Sequence, residues 1–176
     1  MKEYLNFENH TKMVTIIFGI LILGICFYFI KNLKTMDIQL KFFLIIIMLG
    51  SIAGICKSRQ EDKNVMLLKN NFSLTTGNVD EYIVTNLKGK GDTGNSIKYI
   101  YSVGNKFFVN SYGENYHADI PNDKPDLSVL YLVIYQKDNP KNSFILLNYP
   151  VNSSKDFERY KEMFKEKIPD DAIKQD

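Results

Sequence analysis

Two long apolar stretches dominate the first third of the chain. Residues 13–30 contain no charged side chain, and residues 38–56 are interrupted only by Gln39 and Lys41 near their start. At about 1.5 Å per residue, a helix over either stretch is roughly as long as the hydrocarbon core of a bilayer is thick. The pattern predicts two transmembrane helices, at about 13–30 and 38–56, which form an anchor over residues 1–57.

The link between the two stretches, residues 31–37, is too short to hold structure of its own, so the helices are expected to run antiparallel. Gly50 and Gly54 are four positions apart and share one face of the second helix. They predict a close packing face for the first helix or for a partner subunit, which would allow homo-oligomers through the membrane helices. The alternative is that glycine is simply common in membrane helices.

β-type patterns begin at residue 72, after a charged stretch over 58–71 that we interpret as a linker. We expect this linker to continue the second helix out of the membrane, to end at Asn70 and Asn71, and to act as a spacer. Residues 96–103 and 106–112 are two β-rich runs, separated only by Gly104 and Asn105. Both residues tolerate the positive φ that tight primed turns need, so the sequence predicts a hairpin with Gly104 and Asn105 as its turn.

The last third of the chain predicts two more strands and a helix. Residues 128–136 are apolar on both faces, as in a central strand covered on each side. Residues 137–142 are expected to form a turn, with Asn139 and Pro140 as its initiating residues, and residues 143–149 then return as a strand. Residues 153–168 have a serine cap, early acidic residues and an apolar stripe with helical spacing.

These elements give the predicted fold class. We expect a membrane α-hairpin of two transmembrane helices, followed by a small, mainly antiparallel β domain with a C-terminal helix. The β domain is roll-like or barrel-like, has about five strands and spans residues 72–168. Residues 169–176 are expected to form a frayed tail.

Composition limits the function of the part outside the membrane. Five lysines and three acidic residues lie in residues 1–56, which leaves 17 of the 22 basic and 17 of the 20 acidic residues for 57–176. A formally neutral domain lacks the basic footprint of a nucleic-acid-binding protein. Both cysteines lie in the apolar stretches, so this domain has neither a disulfide framework nor a cysteine metal site.

The candidate cofactor and metal motifs are poor. The glycine-rich segment over 88–95 lacks the ending of a P-loop, and we interpret it as a hairpin loop. His117 and Asp119 cannot close a typical zinc site alone, and we interpret His117 as a surface histidine. We therefore expect no cofactor, no metal and no catalytic residue.

The order of several short motifs resembles the bacterial domain of unknown function 3592 family, over about residues 74–148. The motifs are Gly77-Asn78-Val79, Ile97-Lys98-Tyr99-x-Tyr101-x-Val103, Gly104-Asn105-Lys106-x-Phe108 and Val133-Ile134-Tyr135-x-x-x-Asn139-Pro140-x-Asn142-Ser143. The chain departs from that family in a long insert over 112–127 and in its C-terminal helix. The resemblance implies a compact β fold tied to membrane helices, and it implies no established activity.

Three functions remain as hypotheses. The first is a non-enzymatic, membrane-anchored module whose β domain binds a protein partner. The second is an immunity protein that neutralises a membrane- or envelope-acting toxin, and the third is an enzyme of unknown class, since distant residues can still converge in space. The composition, rich in Asn, Lys, Ile, Phe and Tyr, is typical of AT-rich bacterial genomes. The larger number of lysines and arginines beside the two outer helix ends favours a multi-pass protein of the inner membrane with a cytoplasmic β domain.

Overall fold

Two long apolar helices occupy the first part of the chain. In the computed structural model, α1 runs over Phe7–Asn32 and α2 over Ile38–Asn70. By length and composition, both are long and apolar enough to cross a membrane. In the most apolar part of each helix, 0% of the residues of α1 and 6% of those of α2 are buried by the rest of the protein. The structure describes residues 7–84, 94–113, 120–121, 123–165 and 167–173, and the side chains from residue 12 onward.

The two helices run antiparallel, as predicted. Phe18 of α1 lies against Gly54 of α2, where an added Cβ would be 3.3 Å from the Phe18 ring. Eight residues further along α1, the sulfur of Cys26 lies 3.9 Å from that of Met48, which precedes Gly54 on α2. The contact order is therefore reversed between the helices. The Asn32 carbonyl stabilises the turn between them, because it accepts hydrogen bonds from the backbone amides of Thr35 and Met36.

Five strands and a short helix form the rest of the described chain. They are β1 over Phe72–Ile83, β2 over Ser96–Val103, β3 over Lys106–Gly113, β4 over Leu130–Gln136, β5 over Asn139–Val151 and α3 over Ser154–Met163. The strands form one antiparallel sheet in the order β3-β2-β1-β4-β5. The predicted fold class, two apolar helices followed by a five-stranded antiparallel domain and a C-terminal helix, is confirmed.

The sheet is buried on both faces at β4. Successive residues of this strand point to opposite sides, and both sides are covered. Leu132 and Ile134 join a core that the end of α2, α3 and the chain after α3 cover. Tyr131 and Val133 join a second core with the tyrosines of β2. The prediction of a central, doubly covered strand is therefore correct.

The helix α3 begins as predicted and ends earlier. The Ser153 side chain accepts the Asp156 amide at 3.3 Å, which caps the first turn. The helix ends at Met163, five residues before the predicted end. Phe164 and Ile168 are nevertheless buried in the same core as Tyr160, so the apolar residues of this region still pack together.

Both predicted limits of the β domain, residues 72 and 168, are wrong. The stretch over 58–71 continues α2 as far as Asn70, as expected, but its residues Val65 and Leu68 are 6% and 0% exposed in the core of the β domain. The second of the two compact units of the chain accordingly begins at Asn64. The tail over 169–176 is not frayed as far as it is described, because Ile173 is only 1% exposed. In both cases the surrounding sequence is polar, but burial of a few apolar side chains stabilises the segment against the domain.

Candidate protein-binding surface

Three apolar side chains form an exposed patch on one face of the β2–β3 hairpin. Phe107 is 82% exposed, Val109 is 61% exposed and Ile100 is 37% exposed. Ile100 and Val109 are directly paired across the two strands, and Phe107 is two residues from Val109, so all three point to the same side. We call these three residues the β2–β3 face.

The sequence places this face outward by simple alternation. Tyr99, Tyr101 and Phe108 occupy the intervening positions and point into the second core. The sequence shows that Tyr99 and Tyr101 share one face, because they alternate along residues 96–103. The outer set escaped notice because Ile100 alone interrupts a polar face on β2, and its exposed partners come from β3.

Lys106 is exposed at the start of β3, but it is adjacent to Phe107 in the strand and therefore belongs to the opposite face of the hairpin. The charged groups of the β2–β3 face lie at the end away from the turn. There, Nζ of Lys98 lies 2.6 Å from a carboxylate oxygen of Asp80. The hydrogen bond to Asp80 and its charge raise the pKa of Lys98, and the nearby charge of Glu81 adds to the effect. Two carboxylates and one ammonium therefore give this end a net negative charge.

The turn at the tip of the hairpin is the one that was predicted. Val103 pairs with Lys106, so Gly104 and Asn105 alone connect the strands. Gly104 has a φ of 58°, whereas no residue other than glycine has a positive φ in the described chain. A positive φ at the first central position only is the pattern of a type II′ turn. Gly104 thus supplies the left-handed conformation, and Asn105 does not need it.

The open side of the sheet is closed by side chains. The hydroxyl of Tyr99 donates to the Ser143 carbonyl at 2.8 Å, and that of Tyr112 donates to the Ile145 carbonyl at 2.8 Å. The Tyr101 hydroxyl likewise donates to the Pro140 carbonyl. Side chains from β2 and β3 therefore bind the backbone of β5, which gives the sheet its roll-like form without a ladder between β3 and β5.

This tyrosine cluster is built for structure. Burial raises the pKa of the Tyr112 hydroxyl far above its ordinary value, and burial also raises that of Tyr99 well above 10. Both groups stay protonated and act as hydrogen-bond donors at neutral pH, so neither can serve as a general base there. The described residues hold no cluster of three or more histidine, cysteine, aspartate or glutamate side chains suited to a metal ion. His117 and Asp119 lie outside the described residues.

A turn lies within the predicted range 137–142, but the prediction that Asn139 and Pro140 form it is wrong. Asn139 pairs with Gln136, so the connection between β4 and β5 consists of Lys137 and Asp138, and Pro140 already lies in β5. The pairing then shifts between Tyr135 and Gln136, which marks a bulge. Proline has no amide hydrogen to give to a ladder, and an edge strand with a bulge is where a sheet tolerates it.

The predicted helix-packing glycines differ from each other in their surroundings. Gly54 contacts Phe18 of α1, whereas no atom lies within 4 Å of a Cβ built on Gly50. Between them, Ser51 is 3% exposed and donates to the Ile47 carbonyl at 2.8 Å. Gly54 thus lies at the contact with the first helix, and Gly50 does not.

Comparison with known proteins adds no relative. No protein-family model, no curated protein and no solved structure matches the chain. The resemblance to the domain of unknown function 3592 family therefore stays a prediction.

Proposed function

We propose that the chain is a non-enzymatic bacterial protein of the inner membrane whose β domain binds a protein partner. The two apolar helices act as a multi-pass anchor in lipid, and the β domain lies on the cytoplasmic side. The observation that carries the binding role is the β2–β3 face, because an aromatic ring that is 82% exposed beside two aliphatic side chains is a common mark of a protein-binding surface.

The rest of the same sheet face supports this proposal. Over β4 and β5, the side chains of Leu132, Ile134 and Phe144 are covered by α2, α3 and the residues after α3. On the β2–β3 half, Phe107 and Val109 are left open. The layer that covers Leu132, Ile134 and Phe144 therefore does not extend over Phe107 and Val109.

The binding role is tested by site-specific photocrosslinking in intact cells. A photoreactive amino acid is placed at Val109 in one version of the full chain and at Lys155, which is exposed on α3, in the other. We expect a discrete protein adduct from position 109 that is weak or absent from position 155. Absence of a protein adduct at position 109, with normal expression, would contradict the proposal.

The anchor and the orientation are tested separately. Alkaline carbonate extraction should leave the full chain in the membrane pellet, because about 20 apolar residues per helix hold it in lipid. Protease added to intact spheroplasts should leave the loop over 88–95 uncut, and it should cut that loop after the cells are opened. Cleavage in intact spheroplasts would show that the β domain faces outward.

A further inference from the structure

The β2–β3 face lies on the same side of the sheet as the core that the helices cover. Val109 pairs with Ile100 of β2, and Ile100 is next to Asn78 of β1. Asn78 pairs in turn with Leu130 of β4, and Leu132, two residues further along β4, belongs to that core. The end of α2 and α3 therefore cover one half of this side of the sheet and leave the β2–β3 face exposed.

A pocket of about 350 Å³ continues the β2–β3 face at the end away from the turn. The residues of its lining that point to this side of the sheet come from all three strands: Glu81, Ile83, Lys98 and Ser111. Ser111 is two residues from Val109 along β3, which is about 7 Å. Because Asp80 balances the charge of Lys98 at 2.6 Å, Glu81 gives the pocket a net negative charge.

The shape and the charge of this surface point to one kind of partner. A strand of another protein would add to the edge of a sheet, whereas this surface is a face, and helices cover the other half of that face. The acidic pocket is repelled by anionic lipids, and the same face of a second copy would bring no basic group to it. We propose that the partner docks an amphipathic helix on the β2–β3 face and places a lysine or arginine side chain in the pocket beside Glu81.

This inference rests on the proposed function, because it gives the chemistry of the partner at the same surface. Phe107 and Ser111 are four residues apart on β3, a distance of about 14 Å. A helix rises about 1.5 Å per residue, so the basic residue should be about 7–11 positions from the residue that contacts Phe107. The aliphatic part of its side chain can pack on Ile83, which is 47% exposed, while its charged group meets Glu81.

Photocrosslinking of the full chain in intact cells, with the photoreactive amino acid at position 109, tests the form of the partner. The crosslinked peptide is sequenced by mass spectrometry. We expect apolar residues at three- and four-residue steps, and a lysine or arginine about 7–11 positions from the crosslinked residue. A crosslinked peptide that lacks this pattern would overturn the proposal, as would adducts that contain only lipid or only a second copy of the chain.

A charge reversal tests the role of the pocket. Glu81→Lys in the same photoreactive chain should lower the adduct yield about fivefold, because an attraction between charges becomes a repulsion. Glu162→Lys, an equal change of charge on the exposed side of α3, should leave the yield unchanged. Both variants should melt within about 2 °C of the original chain, since both residues are exposed. Equal adduct yields from the two variants would overturn the proposal.

The partner sequence then allows a rescue experiment. Changing the basic residue of the partner to glutamate should lower the adduct yield with the original chain and restore it with Glu81→Lys. Failure of this rescue would show that the pocket does not hold that side chain.

The outcomes also separate this inference from the proposed function. Phe107→Asp should lower the adduct yield about tenfold, since aromatic anchors dominate small interfaces. Loss of the protein adduct with Phe107→Asp but not with Glu81→Lys would overturn the basic helix and leave the protein-binding role standing. Absence of any protein adduct at position 109 would remove both.

Discussion

Gly77 lies in β1 between β2 and β4, and atoms of both neighbouring strands are too close to leave room for a side chain. A Cβ built on Gly77 would lie 2.8 Å from the Ile100 carbonyl oxygen, 2.8 Å from Cγ2 of Val133 and 3.0 Å from Cβ of Tyr101. Two of these atoms cannot rotate away, because one is backbone and the other is fixed to it. Gly77→Ala must therefore displace a strand of the sheet.

The size of the effect follows from two opposing terms. Overpacking in a well-packed region costs about 1–3 kcal/mol. Replacing glycine with alanine also restricts the unfolded chain, which returns about 0.4–1 kcal/mol where the native backbone suits alanine. We expect a net loss of about 1–2 kcal/mol in the free energy of unfolding of the β domain, or about 5–15 °C in its melting temperature.

The assay is thermal unfolding of the full chain in detergent, followed by the near-ultraviolet circular dichroism of the tyrosines. Gly113→Ala is the matched control, because its nearest new contact would be 3.8 Å from the Asn95 carbonyl oxygen, an ordinary distance. The control should melt within about 2 °C of the original chain. Equal melting temperatures for Gly77→Ala and the original chain would show that the atoms around Gly77 are not packed this closely.

Two further predictions concern the tyrosines that close the sheet. Tyr99→Phe removes the donor to the buried Ser143 carbonyl and should cost about 1–3 kcal/mol, whereas Tyr131→Phe, whose hydroxyl bonds the Asp126 carbonyl at 3.2 Å, should cost less. Chemical denaturation compares the two, and an equal loss would refute the special role of Tyr99. Alkaline pH should destabilise the domain, because the folded-state pKa values of Tyr99 and Tyr112 are raised above the unfolded value of about 10. Their stabilisation is present below pH 10 and is lost at about 1.4 kcal/mol per tyrosine for each pH unit above it. Tyrosinate absorbance at 295 nm should rise together with unfolding, and titration of all tyrosines near pH 10 in the folded domain would contradict this.

The hairpin and the two long apolar helices could be predicted because their signals are local. Gly104 and Asn105 stand between two β-rich runs, and a two-residue connection between antiparallel strands favours the primed turns that glycine allows. The apolar stretches are an equally clear local signal, because a run of about 20 apolar residues is typical of a helix that spans a membrane. In both cases nothing distant in the sequence can reverse the preference.

The corrections fall where tertiary contacts decide. Asn139 and Pro140 have the local preferences of a turn, and the pairing of Asn139 with Gln136 moves the turn two residues earlier. The apolar residues of 65–68 and 172–173 are too few to show a pattern by themselves. Leu68 and Ile173 nevertheless belong to one core with residues of β4. These two residues are more than 100 positions apart, so local sequence patterns do not predict that they share a core.

The candidate surface was missed for a different reason. The sequence shows which residues of a strand share a face, and it does not show where the covering layer ends. On one side of this sheet, α3 and the residues after it cover β4 and β5, and the cover stops before the β2–β3 hairpin. Phe107 at 82% exposure is therefore unlike an ordinary surface residue, because the same face is packed tightly at β4, three strands away. Since the fold gains nothing from leaving this ring in water, the simplest physical reason for it is a second surface that covers it.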